Sequence, residues 1–316
     1  MGIKVFANKV FLHYGLLLLS LSLLLILIFS IDFEYFLASF DRLKPVLYVQ
    51  LIIIFSIAWL IRSSRLNTIS EVSISLWNSF KLQIMGSAIN LLYPLKLGDL
   101  LAARYYQGNH TKKEFDKALG DIMHLRIMDF IVLSWILIAG VTYYYFGFSE
   151  VISISLSFSV IPMFAFLLLN LSKHIETRDP RPKNKFLSML IGFSLRITSF
   201  HKFSPAYFFV VLTTLGIWFF EALVTYFLTL SMNIDLTFSD ILIVIAAANL
   251  AKSLPIFPGG IGTYEGAFVL GLTSLGYPYA EALTLAVFDH AFKKVYNLCI
   301  GFPFYLGLKT THLDPS

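Results

Sequence analysis

The chain alternates between long apolar runs and short polar breaks, and the run lengths set the first expectation. Stretches of roughly 18–28 apolar residues are long enough to cross a ~30 Å hydrocarbon core. They predict full spans at about 11–31, 45–62, 119–146, 150–171, 205–230 and 280–308. Two further apolar regions, about 72–107 and 240–277, are interrupted by Pro and Gly. Each reads either as two tilted spans or as a re-entrant hairpin, and either choice returns the chain to the side it left. The fold class expected is an all-α polytopic membrane protein, with about six full transmembrane helices plus two Pro/Gly-broken helical hairpins. Residues 1–316 read as a single integral membrane domain. Within it, 1–31 holds the first membrane helix, 45–171 a first half, 172–202 a basic linker and 203–308 a second half.

Composition strengthens this reading. The chain is 57% hydrophobic and 14% charged, against about 45–50% and about 25% in soluble domains. The run after Lys4 and Lys9 has the outline of a signal peptide, but it is too long for an ordinary h-region and no small-residue cleavage site follows, so it reads as a retained helix. The net charge of +5 resides mostly in loops beside apolar spans, as the positive-inside rule expects, and no nucleic-acid partner is implied. With the N-terminus in the cytoplasm, Arg62, Arg65, Lys81, Lys96, Arg104, Lys112, Lys113 and Lys117 fall in one inside loop, and the basic 172–202 segment in another. Asp32, Glu34, Asp41, Glu150, Asp235 and Asp240 fall outside. The C-terminus is then inside too, in a cell (cytoplasmic/inner) membrane protein. The single cysteine, Cys299, excludes an intramolecular disulfide and a thiolate cluster. No metal motif, P-loop or dinucleotide fingerprint is present, so neither metal nor cofactor is expected, and ATP-driven pumping by this chain alone is not.

The two broken regions resemble each other. NLLYPLKLGDLLAARYY (Asn90–Tyr106) and NLAKSLPIFPGGIGTYEGAF (Asn249–Phe268) both run Asn, Pro, Gly, acid. Asn90, Pro94, Gly98 and Asp99 face Asn249, Pro255, Gly262 and Glu265. Span 45–62 would run inward and span 205–230 outward, so the hairpins would enter from opposite sides. That is an inverted-topology repeat, an arrangement found in secondary transporters; chance similarity of two Pro/Gly turns is the alternative. Pro255 and Pro258 lack donors and stop a helix, and Gly259, Gly260 and Gly262 permit a tight return. Non-helical backbone at membrane depth is tolerated only inside protein or along a wet cavity. A half-helix starting near Ile261 would aim free N–H groups there and favour an anion such as phosphate. Glu265, in its first turn, reads either as a cap or as a proton-linked or substrate-binding group.

At LPIFPGGIGTYEGAF, NLLYPLKLGDLLAARYY and HLRIMDFIVL (His124–Leu133) the sequence resembles the transmembrane-region family of lysylphosphatidylglycerol synthetases, also described as flippase-like integral membrane proteins. The resemblance covers nearly the whole chain. It implies a region that moves a modified lipid across the bilayer. In the synthetases a soluble aminoacyl-transfer domain follows; these 316 residues hold none, so lysyl transfer is not expected. Other members work with glycosyl transfer or with polyprenyl and hopanoid lipids, so the resemblance does not name the lipid. Arg104 stands farther from the acid than the family's arginine does.

Ionisable groups inside spans are costly and point to function. Arg126, Lys252 and Lys293 are the candidates to receive a phosphate head group, with Asp129, Glu221, Glu265, Asp289 and Asp99 tuning it or coupling protons, and with Asn90, Asn249, Gly259, Gly260, Gly262 and Arg104 completing the binding set. Asp289 and Lys293 (i,i+4), and Arg126 and Asp129 (i,i+3), can pair along their helices; Lys294 is expected to point elsewhere and snorkel. The alternative is that these charges neutralise one another and lock the bundle. No catalytic residue is assigned. Three functions fit: a translocator of an anionic phospholipid or polyprenyl phosphate, a membrane-embedded transferase on a lipid-linked substrate, or a non-catalytic partner of a separate lipid-modifying enzyme.

Overall fold

The computed structural model describes residues 22, 29, 31–70, 74–93, 96–106, 112–157, 205–253 and 258–311. Among these the structure is helical, with no strand. The elements are α1 (Phe33–Asp41), α2 (Pro45–Ile69), α3 (Leu76–Leu92), α4 (Leu97–Tyr106), α5 (Lys112–Phe146), α6 (Pro205–Met232), α7 (Phe238–Ser253), a 3₁₀ turn (Pro258–Gly260), α8 (Thr263–Ser274) and α9 (Tyr279–Thr311). Residues 150–157 are also helical. The expected span 11–31, most of 150–171, the 172–202 linker, Pro94 and Pro255 lie outside the described residues.

Three helical stretches are long and apolar enough to cross a membrane: Pro45–Ile69, Lys117–Phe146 and Phe208–Met232. They match the expected spans at 45–62, 119–146 and 205–230, but the first runs on past Arg62 and Arg65 to Ile69. Pro45 opens it at a position where a missing N–H costs nothing. The expected last span forms as α9, 33 residues long, but it is not among the three apolar stretches. Asp289, His290, Lys293 and Lys294 occupy its middle. One helix, α1, capped by Asp32 on the Tyr35 N–H at 3.0 Å, lies where the sequence predicts a short outside loop. Phe36 stacks on Phe288 of α9 at 4.7 Å and holds it there.

The two broken regions form paired short helices. In the first, α3 and α4 are antiparallel, with Gly86 beside Gly98 and Ala102 and with Asn90 beside Gly98. In the second, α7 and α8 are antiparallel, with Val244 beside Gly271 and Lys252 beside Gly260. At 1.5 Å per residue the described parts of the four arms are about 25, 15, 24 and 18 Å long. The α3/α4 crossing needs glycine, since a Cβ on Gly98 would lie 1.9 Å from the Gly86 carbonyl oxygen.

The long helices arrange these hairpins head to head. α2 and α6 pack against each other antiparallel, as Arg42 reaches the Met232 carbonyl (3.0 Å), Gly216 faces Ile61, and Arg65 donates to Thr214 (2.7 Å). The first hairpin follows the C-terminal end of α2 and the second follows the C-terminal end of α6, so the two are rooted at opposite ends of that pair. Each long helix after a hairpin packs on the other hairpin: α5 on α7, where Tyr144 donates to Asp240, and α9 on α3, where Asn297 donates to Ser87 at 3.0 Å. The tips meet, with Gly259 facing the Leu91 side chain. This exchange is the internal symmetry an inverted repeat requires.

The apolar core follows the same division. One cluster joins α2, α6, α7, α8 and α9 around Phe55, Trp218, Val244, Phe268 and Leu285. A second lies between α3, α4 and the first half of α5 around Met85, Ala103 and Leu125. In lipid, close packing and polar links hold helices together, because leaving lipid tails gains no hydrophobic free energy. Buried ion pairs between helices are the polar links here.

Candidate functional site

A cavity of about 350 Å³ lies where the hairpin tips meet. Asn90, Tyr93 and Lys96 line it from the first hairpin, and Asn249, Lys252, Gly259 and Gly260 from the second. Long helices complete it: Arg62 (α2), Arg126 and Asp129 (α5), Glu221 (α6), and His290, Lys293 and Lys294 (α9). An adjoining cavity of about 30 Å³ shares Arg62, Arg126 and Asp129 and adds Arg65 and Asp99.

Local structure explains how each group is held. Asn90 accepts from the Gly98 N–H at 2.8 Å and donates to Asp99 at 2.9 Å, which ties the first tip shut. Asp99, buried at the start of α4, in turn receives Arg126 through two bonds of 3.0 and 3.3 Å. In the second hairpin Gly259 and Gly260 have φ of 63° and 75°, the left-handed region where a side chain is strained. A Cβ on Gly260 would also strike the Lys252 stem at 2.2 Å. Glu265 reaches back to the Gly262 N–H at 2.7 Å and takes the His290 Nδ1 at 2.5 Å. The hairpins thus match in kind: the acid of each second arm binds a basic side chain of the long helix that follows.

The buried charges form an interhelical chain. Arg62 pairs with Glu221, its guanidinium 5.0 Å from the ring centre of Trp59 and 5.7 Å from that of Trp218. Arg65 grips Asp129 through two bonds, 2.7 and 3.1 Å. Lys293 lies 2.9 Å from Asp289 and 3.5 Å from Glu221. Asp289, fully buried, also accepts from Thr225 (2.5 Å) and Tyr264 (2.6 Å). Lys252 lies over the Tyr264 ring at 5.3 Å, and that ring stacks on His290 at 4.3 Å.

Several placements differ from the sequence reading. Arg126 and Asp129 do not pair with each other; each is taken by another helix, Arg126 by Asp99 and Asp129 by Arg65. Lys294 does not point away: it lines the cavity, with its Nζ 3.5 Å from where a Gly259 Cβ would sit. Arg62 and Arg65 are buried within a helix, not carried in a loop. Gly262 and Thr263 are not among the lining residues, and the Gly262 N–H is occupied by Glu265. The N-terminus of α8 therefore does not open onto the cavity, and the charged donors that face it are side chains. Of the other candidates, Arg126, Lys252, Lys293, Asn90, Asn249, Gly259, Gly260, Glu221 and Asp129 come together around the cavity. Asp99, Glu265 and Asp289 stand behind it, holding the cations that line it or His290. Arg104 is exposed near the end of α4, away from it.

Charge balance gives the site its character. Among the described residues, Lys96, Lys252 and Lys294 have no carboxylate within ion-pair distance, and all three line the same cavity. One wall is apolar: Met123, Ile127, Phe130 and Leu133 form a stripe along α5 beside Arg126. Of these, Met123 and Phe130 are exposed, Ile127 is half-buried and Leu133 buried, and the Arg126 side chain is 45% exposed. No group of three or more His, Cys, Asp or Glu suited to a metal ion occurs among the described residues.

Comparison with known proteins places this architecture. The profile of the lysylphosphatidylglycerol synthase TM region matches residues 14–301. UPF0104 membrane protein MJ1078 of Methanocaldococcus jannaschii is 27% identical over 206 residues, 62% of this chain and 85% of that protein. Glycosyltransferase AglD of Haloferax volcanii is 33% identical over 117 residues, 34% of this chain but only 18% of that protein.

Proposed function

The chain belongs to the lysylphosphatidylglycerol synthase TM-region family of multi-pass membrane proteins, and on that premise we propose that it moves an anionic, phosphate-bearing lipid between membrane leaflets through the cavity at the hairpin tips. The observation that carries this reading is the meeting of three lysines, unpaired with any carboxylate among the described residues, with an apolar stripe exposed at Met123 and Phe130. Unpaired cations in low dielectric are expensive, and a phosphate would offset that cost. The stripe along α5 offers the acyl or prenyl chain a path that stays in lipid while the head group enters the cavity. Two hairpins rooted at opposite ends supply the two-sided access a translocator needs.

The family name refers to an aminoacylated phospholipid, and the Haloferax volcanii relative is named a glycosyltransferase. The first name favours a lipid substrate. The second favours a role beside a glycosyl-transferring enzyme, and the match covers only a small part of that relative. Assay of purified protein in liposomes tests the proposal. A labelled anionic lipid is expected to change leaflets without ATP, and Lys252→Ala to slow it while the melting temperature in detergent stays nearly constant. No movement above empty liposomes for a broad panel of anionic lipids, with folded protein, would overturn translocation and favour the partner role.

A further inference from the structure

We infer that the head group this cavity accepts carries two negative charges on one phosphate or diphosphate, as in a lipid phosphomonoester or a disubstituted diphosphate, rather than the single charge of an ordinary phosphodiester. The inference rests on the reading of the cavity as a lipid-phosphate site and adds the charge of the ligand to it. Four of the basic side chains are matched by a carboxylate: Arg62 by Glu221, Arg65 by Asp129, Arg126 by Asp99 and Lys293 by Asp289. Glu265 faces His290. Counted with all three protonated and His290 neutral, the lysines left over, Lys96, Lys252 and Lys294, put the cluster at a surplus of two positive charges. A single negative charge leaves one of these without a counter-charge, and a dianion matches both.

The positions of these lysines support one shared ligand. Lys96 sits at the first tip, Lys252 ends the first arm of the second hairpin, and Lys294 comes from α9. Lys252 and Lys294 flank the Pro258–Gly260 turn, where both glycines lack the side chain that would fill the gap. The three lysines thus line one cavity from three elements in both halves. A monoalkyl phosphate carries about −1.5 to −2 charges near neutral pH, and the second ionisation is complete by about pH 8.

A binding experiment on full-length protein in detergent separates the alternatives. Trp59 and Trp218 line the cavity, so their fluorescence reports occupancy. The probes are a C20 isoprenyl monophosphate, the methyl phosphodiester of the same chain, the parent alcohol, inorganic phosphate and inorganic diphosphate. At about pH 8 the monophosphate is expected to bind about tenfold or more tighter than the methyl diester, and the alcohol not measurably. Equal or tighter binding of the diester to the wild-type protein overturns the inference, with no variant needed. Lys96→Gln, Lys252→Gln and Lys294→Gln should each narrow the preference toward parity; an unchanged preference in all three overturns it. Inorganic phosphate or diphosphate competing as well as the lipid would keep the dianion and reassign its source to water. Dianion preference without leaflet exchange would leave this inference standing and sink translocation, and exchange without preference would do the reverse.

Discussion

Glu221 is the acid whose loss the structure can least absorb. It neutralises Arg62 and lies 3.5 Å from Lys293, all three buried. Breaking a buried pair on one side costs about 3–5 kcal/mol, because the remaining charge is left uncompensated. Glu221→Gln should therefore lower the detergent melting temperature sharply, and adding Arg62→Met should restore much of it. No recovery in the double variant would mean that the acid serves Lys293 more than Arg62. At this scale the sequence was legible only where partners were local. Asp289 and Lys293 are four residues apart on one helix, and they do pair. Arg62 and Glu221 are separated by 159 residues and Arg65 and Asp129 by 64, and nothing in the hydrophobic pattern links them. The sequence pattern ends that span at its first arginine, Arg62, because a charge usually marks the interface. Here the charges are buried against other helices, so the helix carries them onward to Ile69.

Among the elements, the short arms carry the design, and their glycines make sharp tests. Gly98→Ala places a methyl 1.9 Å from the Gly86 carbonyl oxygen, so the first hairpin cannot close as it stands. A large loss of folded, monodisperse protein on size exclusion is expected. Gly266→Ala in α8 meets no neighbour within 4 Å and should be neutral or stabilise by up to about 1 kcal/mol through helix propensity. A well-folded Gly98→Ala protein would refute the close crossing. Pro, Gly and an acid in the same order announced both hairpins. The sequence could not show that the arms of each region fold back on each other, since that depends on close contacts between residues 12 or more apart in the chain, such as Gly86 with Gly98 and Val244 with Gly271. Nor could it show which residues face the cavity: the Lys294 placement follows from where α9 packs, not from its spacing.

For the whole molecule, the antiparallel α2/α6 pair turns the repeat into a statement about sides. In a Cys299→Ser background, a cysteine replacing Asp235 should react with an impermeant maleimide in intact cells. One replacing Ser70 should react only after permeabilisation. The opposite pattern would reverse the orientation; reaction of both from the same side would overturn the entry of the hairpins from opposite faces.

The meeting of Gly259 with Leu91 also has an electrical meaning. Where two water-reachable hairpins leave only their tips between them, the membrane potential falls across that thin septum instead of across the full bilayer. The lysines stay with the protein, so a dianionic head group that passes the tips carries its two charges through nearly the whole voltage, each worth about 2.3 kcal/mol per 100 mV. A membrane negative inside would drive such a lipid outward. In proteoliposomes holding a potassium gradient, valinomycin should therefore speed exchange in one direction and slow it in the other, and reversing the gradient should exchange the two.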